Sequence, residues 1–121
     1  MVLLRNIICL VTLSVSIFQA NCGYAHAVVT KSSLQIEKVT PNQEAQVTLN
    51  FNSNIELALS QIFLVSEGDA HQKLESVPGK RAGQVLVTLP ALKEGEYAIR
   101  YKIFAADGHL TEDTIHFFVT P

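Results

Sequence analysis

Apolar and polar residues alternate along most of the chain after residue 45. Val47, Leu49 and Phe51 alternate with Thr48, Asn50 and Asn52. That is the period of a strand with one covered face. Val85, Val87 and Leu89 repeat the pattern, as do Tyr97, Ile99, Tyr101 and Ile103 against Ala98, Arg100 and Lys102. Ile115, Phe117 and Val119 form the last such run. The segment Gln61 to Ser66 is apolar enough to predict a strand buried on both faces. Turn signals separate the runs at Thr40-Pro41-Asn42, Glu67-Gly68-Asp69, Pro78-Gly79 and Lys93-Glu94-Gly95. Short strands at this spacing predict an all-β domain, either a sandwich or a Greek-key barrel. Asn54 to Ser60 fits a helical turn as well as a strand, because periodicity does not separate the two in so short a run.

The first 25 residues follow a different pattern. Arg5 is their only charge, and it precedes a 12-residue apolar run from Ile7 to Phe18. That length suits a secretory signal and is short for a membrane span, which needs ~18 or more residues. Gly23 and Ala25 place small residues at −3 and −1 of a cut before His26. A lipoprotein cut at Cys22 is disfavoured by Gln19 at −3 and Asn21 at −1. The expected division is therefore a signal peptide over 1–25 and one domain over 26–121. Both cysteines, Cys9 and Cys22, would leave with the signal. The mature chain would then have neither a disulfide nor a thiolate ligand.

Charge narrows the function classes. With Arg5 gone, eight Lys/Arg face 11 Asp/Glu. No basic run with interleaved aromatics appears, so nucleic acid is not an expected partner. No second apolar stretch is long enough to span a bilayer. The expected product is an exported, periplasmic, monomeric domain.

The candidate chemistry lies in the histidines. Cleavage before His26 would leave a histidine at the N-terminus. Its α-amine and ring Nδ1 could then close a chelate on a transition metal. Further along stands Asp107-Gly108-His109. In an extended segment residues two apart share a side, so carboxylate and imidazole would converge. Gly108 would let the backbone turn. The spacing alone is a weak signal and by itself favours a solvated polar turn. Asp69-Ala70-His71 repeats it within a polar stretch that reads as a surface loop. His116, between Ile115 and Phe117, belongs to the opposite face of its strand.

With His26 included, the donors are an amine, two imidazoles and a carboxylate. Such an N₃O set suits tetragonal Cu(II) best, and Cu(II) leads the divalent affinity series. Structural zinc usually takes thiolates, and Ca²⁺ or Mg²⁺ needs more oxygens. The only methionine is Met1. Without Met or Cys, the mature chain should hold oxidised copper and release it on reduction.

These residues resemble the CopC family of periplasmic copper-binding proteins. The likeness rests on the His26-Ala27 start, the Gly95-Glu96-Tyr97 strand with Ile99 and Tyr101, Ala106-Asp107-Gly108-His109, and the closing Phe117 and Val119. It covers essentially the whole mature chain. It implies a Greek-key β-barrel or sandwich of cupredoxin or immunoglobulin-like type. It also implies one Cu(II) per chain, held by His26, Asp107 and His109. The implied role is a copper carrier or buffer rather than an enzyme, serving homeostasis, resistance or delivery. Its partner would be an inner-membrane copper importer or a cuproenzyme under assembly. A histidine-brace monooxygenase is the rival reading, since His26 and His109 could form that brace. Asp107 would then fill a position that oxygen needs, and the chain has no tryptophan for a polymer surface. A metal-free β-sandwich for protein contacts is the third.

Overall fold

The alternating runs become strands wherever one of their faces can be covered. The structure is a computed structural model that describes residues 27–121. The expected signal peptide, its cut site, Cys9, Cys22 and His26 lie outside the described residues. The strands are β1 (Val29–Ser32), β2 (Ala45–Phe51), β3 (Gln61–Ser66), β4 (Ala70–Lys73), β5 (Ser76–Pro78), β6 (Gln84–Leu89), β7 (Gly95–Phe104) and β8 (Leu110–Val119).

They form two four-stranded sheets, ordered β1-β2-β6-β5 and β4-β3-β7-β8. Every strand pair is antiparallel. The chain changes sheet after β2, β4 and β6. This strand order is that of a Greek-key sandwich of the immunoglobulin-like kind. The expected all-β class therefore holds, with an open sandwich rather than a closed barrel.

The inward residues follow the alternation. Leu49 of β2, Val87 of β6, Ile62 of β3 and Ile99 of β7 belong to one buried cluster shared by both sheets. Burying each such side chain contributes about 1.5–3 kcal/mol. A core of this kind supports folding without a metal. Among the described residues no helix is long and apolar enough to cross a membrane.

Three regions differ from expectation. In β3, Ile62 and Leu64 are buried, but Phe63 and Val65 are only half-buried. Their face is the outside of the sandwich, shaded by neighbouring strands and not by a second layer. The Asp69-Ala70-His71 stretch is not all loop. Ala70 and His71 open edge strand β4, and Val65 pairs with His71. Asn54 to Ser60 is neither a full strand nor a full helix. Ile55 makes a single bridge to Ala105, and Leu57–Leu59 form one 3-10 turn. The Ser60 hydroxyl closes that turn by donating to the Glu56 carbonyl at 2.8 Å. The same oxygen accepts from the Phe104 N–H at 3.0 Å. These bonds fasten the segment to the end of β7.

Candidate metal centre

Strands β7 and β8 pair without a break from Gly95↔Val119 to Phe104↔Leu110. So long a ladder fixes the five residues between them. The Ala105 carbonyl accepts from the Gly108 N–H at 2.9 Å, and the Ala105 N–H donates to the His109 carbonyl at 3.0 Å. Gly108 has φ of +88°. This is the short hairpin loop that needs a glycine at its left-handed position.

The loop brings Asp107 and His109 together, through a turn at Gly108 rather than through the alternation of an extended segment. The carboxylate Oδ1 accepts from the His109 backbone N–H at 3.0 Å. Its Oδ2 lies 3.1 Å from the His109 ring Nδ1. Both side chains are about half exposed, at 46% and 56%. The His109 N–H, and then its ring, hold the Asp107 carboxyl below the usual aspartate range.

The first described residues connect to this hairpin through the loop after β2. Ala27 is fully buried in the core cluster. The Val28 N–H donates to the Asn52 side-chain Oδ1 at 2.9 Å, and the Asn52 N–H donates to the Val28 carbonyl at 3.0 Å. Two residues on, the Asn54 carbonyl accepts from the Ala106 N–H at 2.9 Å. The loop after β2 thus touches the start of β1 on one side and the Asp107 hairpin on the other. Gly83 sets its course. A Cβ there would lie 2.7 Å from the Phe51 and Ser53 carbonyl oxygens, and the Phe51 N–H donates to the Gly83 carbonyl.

Below the hairpin, the Tyr101 ring is buried and packs edge-on against Phe51 at 5.4 Å. Burial, and then the Asp113 carboxylate across the hairpin, push its phenol above the usual value. The nearby Val29 backbone acts the other way.

Of the sequence-predicted ligands, the structure brings Asp107 and His109 together. His26 lies outside the described residues. Asp69 and His71 also meet, Oδ1 to Nε2 at 2.9 Å, on the edge of the β4 sheet. His116 is exposed on the outer face of β8, in a cleft with Glu67 and Glu96. Among the described residues, no three His, Cys, Asp or Glu side chains gather into a metal-holding group. Sequence reading passed over Asn52 and Asn54. An Asn-Ser-Asn run directly after a strand was the only signal available.

No curated protein sequence matches the chain. Solved structures do. CopC from Methylosinus trichosporium OB3b superposes with a TM-score of 0.67 at 20% identity, covering 79% of this chain and 95% of that one. PcoC, a methionine-rich copper resistance protein from Escherichia coli, gives 0.57 at 18% identity, covering 79% and 100%. The Lin-41 filamin domain gives 0.55 at 12% identity, covering 78% and 91%. At such identities these likenesses establish the shared sandwich fold, which clearly serves more than one purpose. The family model for the CopC domain is more specific and matches residues 29–120, nearly the whole described chain. On that match, the protein belongs to the CopC family.

Proposed function

We propose that this copper-related protein binds one Cu(II) per chain and serves as a periplasmic carrier or buffer, not an enzyme. The ligands are the amine and ring of His26, the Asp107 carboxylate and the His109 imidazole. The observation that carries this reading is the converged Asp107–His109 pair, linked through Asn54 and Asn52 to the anchored start of β1. Adjacent donors about 2.0–2.1 Å from one metal lie roughly 3 Å apart when at right angles. The 3.1 Å between Asp107 Oδ2 and His109 Nδ1 suits that arrangement. One residue before Ala27 reaches about 3.8 Å further along the chain. A free α-amine there supplies the donors that the hairpin lacks.

The ion is cargo. Amine, imidazole and carboxylate favour Cu(II), while Cu(I) prefers the sulfur ligands that residues 26–121 do not contain. Reduction is therefore the natural release step, and an inner-membrane importer or a cuproenzyme under assembly is the natural acceptor. The test is a competitive Cu(II) titration of the protein beginning at His26, beside a form with one extra residue before it. The reading requires one tight equivalent in the first and a large loss in the second. Equal binding by both would remove the N-terminal amine from the ligand set.

A further inference from the structure

We infer that Asn52 is a positioning residue for this centre, clamping the start of β1 so that the chain end is delivered to the Asp107–His109 hairpin. The inference rests on the Cu(II) site proposed above and extends it to a residue that touches no metal.

The register shows why a clamp is needed. The β1–β2 ladder shifts between Val29 and Lys31, and its last pair is Val29↔Phe51. β2 ends at Phe51, so Val28 has no regular strand partner. Asn52 supplies both halves of the missing pair. Its backbone N–H takes the Val28 carbonyl, and its side-chain Oδ1 stands where a strand would offer a carbonyl to the Val28 N–H. The clamp then continues to the hairpin. Asn54 bonds Ala106, and Ile55 bridges Ala105, both immediately before Asp107. One four-residue segment therefore holds both sides of the site.

Asn52 itself is exposed. Truncating its side chain opens no cavity and removes no apolar packing. What goes is one acceptor for Val28. A chain end that loses its partner frays, and the metal must then order it. Fixing one residue's backbone costs enough to weaken binding about tenfold.

The test uses the protein from His26 onward, as wild type, Asn52→Ala and Asn52→Asp. Aspartate keeps an acceptor oxygen in place, so it separates the hydrogen bond from the bulk of the side chain. Cu(II) affinity is read by competition and the coordination by electron paramagnetic resonance. Exchange of the Val28 amide is read without metal. The expected result is about tenfold weaker binding and faster Val28 exchange in Asn52→Ala, an almost unchanged melting temperature, and recovery of both readouts in Asn52→Asp. The spectrum's nitrogen couplings should stay as in wild type throughout. Should the alanine variant fail to fold, its Val28 exchange is replaced by that of Asn52→Ser. Wild-type affinity in the alanine variant, or equal weakening in alanine and aspartate variants, overturns the clamp and leaves the Cu(II) site standing. A wild-type protein that takes up no Cu(II) overturns both.

Discussion

Two Asp-x-His pairs stand on this domain with nearly the same internal contact and different surroundings. Asp107 and His109 meet at 3.1 Å, and Asp69 and His71 meet at 2.9 Å. The first pair spans a closed hairpin loop at the end of the longest ladder among the described residues. The second spans a turn and the start of edge strand β4. There Gly68 and Asp69 have φ of +75° and +58°, and the His71 ring tilts against Phe63 at 6.3 Å. The first is linked through Asn54 and Asn52 to the start of β1. The second stands on an edge strand whose ladder partner, among the described residues, is β3. A converged carboxylate and imidazole is thus not by itself a metal centre. What distinguishes the hairpin pair is its backbone link to the start of β1, along which the proposed His26 donors would reach it.

The largest effect should come from removing those donors. His26→Ala should cost more than about 100-fold in Cu(II) affinity, beyond the ~10–100-fold typical of residues behind the ligands. His109→Ala should follow, and Asp107→Ala should cost less than either. Competition titration against a chelator of known affinity measures all three.

Copper should also stabilise the fold. A ligand that binds only the native state adds about 4.1 kcal/mol at a free concentration a thousandfold above Kd. The apo protein should melt cooperatively, and one equivalent of Cu(II) should raise its melting temperature. His71→Ala should leave that rise intact, whereas His109→Ala should abolish most of it. Calorimetry of the three proteins checks both statements.

Acid should act through the nitrogen ligands first. The His109 N–H lowers the Asp107 pKa in the folded state. The stability from that contact is complete above the ordinary aspartate value of about 3.9 and is lost as pH falls through the lower folded value. Between about pH 7.5 and pH 5 the carboxylate therefore stays ionised. Amine and imidazole ligands must shed protons to bind metal in that range. Affinity should fall steeply there while apo stability attributable to Asp107 stays level. A flat affinity over the same interval would exclude nitrogen ligation.

A smaller effect separates the central residues of the two pairs. An alanine Cβ at Gly108 would meet nothing within 4 Å. Its penalty is the positive φ alone, about 1–2 kcal/mol. Gly108→Ala should lower the apo melting temperature by several degrees. Ala70 lies in β4, and Ala70→Gly should cost no more than about 0.5–1 kcal/mol. Last comes an expected null: His71→Ala should change Cu(II) affinity by less than about twofold.

The strands whose inward faces are apolar were legible because burial imposes their period. β2, β6, β7 and β8 show it plainly. Edge strands β1, β4 and β5 were not legible. Ala70–Lys73 is exposed throughout, and the buried residue of Val29–Ser32 is the polar Ser32, so no alternation marks them, and only pairing with β3 and β2 makes them strands. β3 read as buried on both faces because its composition does not record which side lacks a second layer. At the site, the Asp107–His109 convergence was legible through the turn that Gly108 allows, not through extended alternation. The Asn52 contact did not, since it depends on where β2 stops and on a side chain replacing a strand partner.

The most direct test follows amide signals of the ¹⁵N-labelled protein beginning at His26 as Cu(II) is added below one equivalent. Paramagnetic Cu(II) erases signals near its binding site. Signals from Ala27, Val28, Asn54, Asp107, Gly108 and His109 should vanish together, while those of Ala70, His71 and Gln72 stay sharp. Early loss at Ala70–Gln72, or loss at Gly108 and His109 with Ala27 and Val28 untouched, would contradict a centre built from the hairpin and the chain's free end.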